Sequence, residues 1–125
     1  MGHSDTLIIA DGNFPAYTYA KKVIRADGFK IAEILEAVLH YFPLDSDIGN
    51  DSVKVMQNPT GVEEPPVWTE YRKIVKSYEP WMSDISKVDR YEFYNLAESS
   101  SIVVLTNDFT KRGNVLITKG VVQQE

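Results

Sequence analysis

Seven polar side chains in this chain are of types that move protons or hold hydroxyl groups: His3, Asp5, Asp11, Asp45, Arg90, Tyr94 and Asn114. An imidazole gives and takes protons near neutrality because its ordinary pKa is about 6.5. A carboxylate accepts hydrogen bonds, a guanidinium donates them, and an amide or a phenol does both. Singly, each has an ordinary structural reading. Asp5 and Asp11 can cap or turn the chain, and Asp45 can be a surface residue after Pro43. Arg90 can pair in solvent with Asp89 or Glu92, Tyr94 can sit in the core with its hydroxyl satisfied, and Asn114 can be a turn residue after Gly113. Together they form a set suited to proton transfer on a polar, neutral ligand such as a sugar.

Other chemistries find less support. The chain has no cysteine, so thiolate nucleophiles, thiolate metal ligands and disulfides drop out, and a reducing cytoplasm is permitted. No two histidines stand at ligand spacing, which leaves a metal site poorly supported. There is no Gly-x-Ser-x-Gly elbow for acyl transfer and no glycine-rich phosphate cradle. A net charge of −5, with Lys21-Lys22, Arg72-Lys73 and Lys111-Arg112 as scattered basic pairs, argues against a nucleic-acid partner. No apolar run approaches the roughly 18 residues of a membrane span, and no charged-then-apolar signal segment opens the chain.

The elements that must position these groups follow from pattern. At 125 residues, 43% hydrophobic and 25% charged, the chain is one globular domain's worth. Residues 6–10 read as a buried strand with His3 and Asp5 at one end and Asp11 at the other, followed by a Gly12-Asn13 turn and Phe14-Pro15. In open α/β sheets the carboxyl end of such a strand is where ligand-binding loops gather. Residues 23–28 read as a short extended piece ended by Asp27-Gly28. Apolar side chains at Ile31, Ile34, Leu35, Val38, Leu39 and Phe42 predict a helix over 30–42, stopped by Pro43. His40 falls in its last turn, in a surface or capping role.

Val53-Lys54-Val55-Met56 alternates as a strand. Residues 58–66 are too rich in Pro and Gly for any element and form a candidate lid or subunit contact. A second helix spans 67–78 behind Pro66, 85–88 reads as an edge strand, and a third helix spans 91–98. Ile102-Val103-Val104-Leu105-Thr106 has the β-branched character of a strand buried on both faces, and 115–118 gives the last strand before a short tail. Alternating strands and helices define an α/β fold, with a mostly parallel or mixed sheet.

Several collinear segments then resemble one family, the L-fucose mutarotase and D-ribose pyranase (RbsD/FucU) family. They are Met-Gly-His-x-Asp followed by a strand and Asp-x-x-Phe-Pro within 1–15, Ile24-Arg25-Ala26-Asp27-Gly28, and Pro43-Leu44-Asp45. Further along come Pro66-Val67-Trp68-Thr69-Glu70-Tyr71, Arg90-Tyr91-Glu92-Phe93-Tyr94, and Gly113-Asn114 through Lys119-Gly120-Val121. The resemblance covers nearly the whole chain. It implies a single sugar mutarotase domain over 1–125 with a three-layer α/β/α, RbsD-like fold, and a cofactor-free, metal-free isomerase that interconverts sugar anomers. It also implies a cytoplasmic homo-oligomer with its sites near subunit contacts, a monosaccharide ligand, and neither nucleic-acid nor membrane partners.

In the same terms His3 is similar to a proton donor and Tyr94 to a tyrosine with a catalytic role, while Asp11, Asp45, Arg90 and Asn114 match sugar-binding positions. Ribose-type members carry His and Lys where Arg90 and Tyr94 stand, which places this chain on the fucose side, closest to L-fucose mutarotase. The alternatives are a ribose-type pyranase and a catalytically weak sugar-binding or regulatory homologue. Two departures bear on these. The family's last motif usually reads Tyr-x-Asn, where this chain has Arg112-Gly113-Asn114. Members also usually carry a leading helical segment of roughly twenty residues before Gly-His-x-Asp, and this chain starts at that motif.

Overall fold

The computed structural model describes residues 2–19, 21–100 and 102–121; Met1 of the opening motif and the tail expected at 122–125 lie outside them. Among the described residues six strands and four α-helices follow in order: β1 (Thr6–Ala10), α1 (Ala16–Tyr19), β2 (Val23–Ala26), α2 (Ile31–Leu39), β3 (Val53–Met56), α3 (Pro66–Tyr78), β4 (Ser86–Val88), α4 (Arg90–Glu98), β5 (Ile102–Thr106) and β6 (Val115–Thr118). The strands form one sheet in the order β2-β5-β1-β6-β3-β4. It is mixed: β1 and β2 run parallel to β5, and β3 runs parallel to β4, whereas β6 is antiparallel to both β1 and β3.

Both sheet faces are covered, so β1, β5 and β6 are nearly all apolar rather than alternating. One face packs Leu7, Ile9, Val104, Val115 and Ile117 against Ile31, Leu35 and Leu39 of α2 and Trp68, Tyr71 and Val75 of α3. The other packs Ile8, Ala10, Val103, Leu105 and Leu116 against Phe14, Ala16, Phe93 and Ala97. This gives the expected three layers, with α1 and α4 opposite α2 and α3.

Two boundaries differ from expectation for local reasons. The helix expected over 30–42 ends at Leu39, with His40 as its C-cap. The Tyr41 N–H bonds the Val38 carbonyl at 3.0 Å, a tightened last turn that swings Phe42 inward, and Pro43 disfavours helical geometry at Phe42. The polar turn after Pro43 proves to be the cap of a 3-10 segment over Ser46–Ser52, whose Asp45 side chain accepts the Asp47 N–H. Asp45 is therefore buried rather than a surface residue.

Candidate active site

The sheet's topology gathers one set of loops. Since β3 and β4 run the same way as β1, and β6 the opposite way, the carboxyl ends of β1, β3 and β4 meet the amino end of β6 at one edge of the molecule. A cavity of about 620 Å³ lies there, lined by Asp11 and Phe14 after β1, Gln57 to Thr60 after β3, Arg90 and Tyr94 of α4, and Arg112 and Asn114 before β6. Four residues singled out in the sequence, Asp11, Arg90, Tyr94 and Asn114, are thus brought together although they lie up to 103 positions apart.

Asp11 and Asn114 are held through backbone groups, Tyr94 and Arg90 through ring contacts. The Asp11 N–H donates to Oδ1 of Asn114 at 2.7 Å, and Oδ1 of Asp11 accepts the Asn13 N–H at 2.9 Å. Burial pushes the Asp11 carboxyl up from its ordinary range, against the lowering influence of backbone hydrogen bonds from Asn13 and Phe14 and the side chain of Asn114. The Tyr94 ring stacks on Phe14 at 5.9 Å between centroids, and the Arg90 guanidinium carbon lies 5.8 Å from the Tyr94 ring centre. Arg90 makes no ion pair with Asp89 among the described residues; Asp89 instead caps α4 through the Glu92 N–H at 2.9 Å.

The 107–114 loop is knitted to its surroundings. The Gly12 N–H donates to the Asp108 carbonyl at 2.8 Å. Oδ2 of Asp108 accepts the Ile31 N–H that opens α2, and Oδ1 accepts both donors of Thr110. Burial opposes ionisation of Asp108, but the hydrogen bonds from Thr110 and Ile31 and the Lys30 charge outweigh it and hold the carboxyl below its ordinary value.

His3 and Asp45 lie elsewhere. They line a second cavity, of about 410 Å³, with Pro43, Leu44, Asp47, Glu79, Trp81 and Val121 at the amino end of β1. Nε2 of His3 is 3.4 Å from Oδ2 of Asp45. The carboxylates of Asp45 and Asp47 and the His3 imidazole each offer a ligand atom within 4.8 Å of the others, a set that could hold a divalent cation. Such a set escapes a search for paired histidines because it holds one histidine, with two aspartates from another segment. Asp5 takes its structural reading, Oδ2 accepting the Gly2 N–H at 2.7 Å.

Three features in or behind the larger cavity were not singled out from the sequence. The indole of Trp68 donates to the Arg112 carbonyl, the Tyr71 hydroxyl donates to the Gly113 carbonyl, and Oδ1 of Asn58 is buried without a hydrogen-bond partner among the described residues. The first two had a signal, since buried Trp and Tyr seek partners for their polar tips.

A covered mixed sheet with a polar cavity where strand ends converge is the architecture of a small-ligand α/β protein. The family model described as the RbsD / FucU transport protein family matches residues 1–122, and the chain belongs to that family. An L-fucose mutarotase of Actinobacillus pleuropneumoniae serotype 5b (strain L20) is 34% identical over 121 residues, covering 97% of this chain and 84% of that protein. The crystal structure of the fucose mutarotase in complex with L-fucose from Streptococcus pneumoniae superposes with a TM-score of 0.90 at 32% identity, covering 98% of this chain and 87% of that one. FucU from Bifidobacterium longum also gives 0.90, at 35% identity, covering 98% and 89%. The structure of Bacillus subtilis RbsD complexed with D-ribose, at 19% identity and a TM-score of 0.68, shares the fold.

Proposed function

We propose that this chain is an L-fucose mutarotase, an isomerase acting in the cytoplasm that interconverts the α and β anomers of L-fucose. The observation that carries the reading is the convergence of Asp11, Arg90, Tyr94 and Asn114 on one cavity in a fold shared with a fucose mutarotase in complex with L-fucose. A cavity of about 620 Å³ is of monosaccharide size or larger.

Mutarotation transfers two protons and changes no oxidation state. An acid protonates the ring oxygen while a base takes the proton of the anomeric hydroxyl. The C1–O5 bond breaks, the open-chain aldehyde turns about C1–C2, and closure on the other face returns both protons. His3 serves as the acid and Tyr94 exchanges the proton at the anomeric hydroxyl. Asp11 accepts hydroxyl hydrogen bonds, and Arg90 and Asn114 orient the ring. Asp45 acts through His3: one of its carboxylate oxygens is committed to the Asp47 N–H and the other faces the imidazole.

The separation of His3 from the cavity supports a homo-oligomer. At about 3.3 Å per residue, the five residues of β1 keep its two ends on the order of 15 Å apart, too far for His3 and Asp11 to touch one monosaccharide within a single protomer. A second copy can supply His3. The two ends differ: Asp45, Asp47 and Glu79 with exposed Trp81 and Val121 surround His3, while Arg90 and Arg112 line the other cavity beside Asp11 and Asp89, with exposed Tyr91 and Phe109 nearby. Unlike patches that meet head to tail close into a ring when the rotation between copies closes.

Saturation-transfer NMR between the anomeric protons of L-fucose tests the reading. Exchange accelerated by the wild-type protein and lost in His3→Ala is expected; undiminished exchange in that variant would remove His3 from the mechanism. D-ribose under the same conditions separates the fucose-type from the ribose-type activity. Calorimetric binding of L-fucose without accelerated exchange would favour a sugar-binding homologue instead.

A further inference from the structure

We propose that Trp68 and Tyr71 are positioning residues of the sugar cavity, holding the 112–114 turn from the opposite side of its backbone. The proposal rests on the reading of that cavity as the sugar site and adds two residues that do not line it.

Three consecutive residues of the turn are pinned, each by a different partner. The Arg112 carbonyl accepts the Trp68 Nε1–H at 2.9 Å, the Gly113 carbonyl accepts the Tyr71 hydroxyl at 2.8 Å, and Oδ1 of Asn114 accepts the Asp11 N–H at 2.7 Å. Both α3 rings are fully buried. They stand at successive turns of one helix, spaced i and i+3, so their polar tips fall side by side. Burial, reinforced by the fields of Asp108, Glu70 and Asp11, pushes the Tyr71 hydroxyl far above the ordinary phenol range, so it stays a donor.

The turn needs such restraint. Arg112 has φ +53, a left-handed conformation that is unfavourable for a long side chain by on the order of 1 kcal/mol. Two donors that fix the peptide planes on its carboxyl side favour that geometry over relaxed alternatives. The next position is tight for a side chain: a Cβ at Gly113 would lie 3.0 Å from Cδ1 of Ile31, 3.1 Å from the Thr110 carbonyl and 3.3 Å from the Tyr71 hydroxyl. The consequence reaches the cavity on two paths. Arg112 itself is a lining residue, and the position of Asn114 sets the Asp11 amide and with it the loop that carries the carboxylate. The Trp68-Thr69-Glu70-Tyr71 stretch thereby acquires a role at a site it does not touch.

Tyr71→Phe removes one oxygen and keeps the buried ring, and Trp68→Phe removes the indole donor. In both, KM for L-fucose is expected to rise about fivefold while kcat stays within about twofold, the signature of a displaced binding group rather than a lost reacting one. The Asp11 amide proton resonance, read without sugar, is expected to move upfield as its bond to Asn114 lengthens. Adding Arg112→Asn, which tolerates left-handed backbone, to Tyr71→Phe is expected to return that resonance toward its wild-type position. A lowered melting temperature with KM and the Asp11 amide both unchanged would leave the two rings as core residues and overturn the proposal. If the wild-type protein exchanges no sugar anomers, the sugar reading fails by itself, and an unmoved Asp11 amide would still refute the role assigned to Tyr71.

Discussion

Nε2 of His3 faces Oδ2 of Asp45 at 3.4 Å, and the Asp45 carboxylate is buried while the imidazole is 45% exposed. One nitrogen is therefore engaged from inside the protein, and the ring is oriented from there. With Oδ1 taken by the Asp47 N–H at 3.1 Å, the free carboxylate oxygen favours the tautomer that carries its proton on Nε2. Asp45→Asn keeps the Asp47 bond but presents an amide to the ring, which reverses the preferred tautomer. We expect kcat for anomer exchange to fall about 10- to 100-fold, as for loss of a histidine-orienting partner, with KM within about threefold. Unchanged kcat in saturation-transfer NMR would show that Asp45 does not orient His3.

Asp11 should trade stability for function. Burial raises its pKa in the folded state, so the folded protein binds this proton more tightly than the unfolded chain. Its contribution is most favourable below the ordinary carboxylate pKa of about 3.9 and is lost as pH rises through the raised folded value. Asp11→Asn keeps an oxygen for the Asn13 N–H and removes the buried charge. The expected result is a melting temperature higher by up to about 3 °C at pH 7, no gain near pH 3, and loss of most sugar turnover. A drop in melting temperature at pH 7 would contradict the sign.

Asp108 should behave oppositely. Its folded pKa is lowered, so its stabilisation is present above the ordinary carboxylate pKa and lost as pH falls through the folded value. It closes the start of α2 from 77 positions away, through the Ile31 N–H at 3.0 Å, alongside Glu33, whose carboxylate accepts the Lys30 N–H. Asp108→Asn cannot serve Ile31 and both donors of Thr110 with one oxygen. Denaturant unfolding at pH 7 is expected to show a loss of about 1–2 kcal/mol, shrinking toward pH 3. Wild-type stability at both pH values would remove the capping role.

The strands at 6–10, 53–56, 102–106 and 115–118 were legible because short apolar β-branched runs bounded by polar turns have few other uses, and all four have the expected bounds. Sheet order was not, since alternation and apolarity report which faces are buried and not which neighbour is bonded. The antiparallel course of β6 beside β1 is what brings Asn114 to Asp11, and a sequence pattern carries no sign of it. The residue types proposed for the site came from the resemblance, and the structure groups Asp11 with Arg90, Tyr94 and Asn114 in one cavity. The burial of Asp45 was hidden, because Pro-Leu-Asp-Ser reads as a surface turn until the Asp45 N–H is seen to bond the Thr118 carbonyl at 3.1 Å. The partner of Trp68 was hidden for a similar reason, since it lies 44 positions away.

The proposed division of the site between the two ends of β1 makes a prediction that no single-protomer arrangement shares. His3→Asn disables one end and Arg90→Met the other, so each variant alone should be inactive. If copies assemble as proposed, co-refolding in equal amounts gives mixed rings in which an Arg90→Met protomer supplies an intact His3 to the intact cavity of a His3→Asn neighbour. If protomers mix at random, about one site in four has this combination, and about a quarter of wild-type anomer exchange should return. Two variants at the same end, His3→Asn with Asp45→Asn, should restore far less, because every site formed retains a damaged His3 end. Recovery at that level in the second mixture, or none in the first, would mean that His3 and the Asp11 cavity do not meet across a protomer contact.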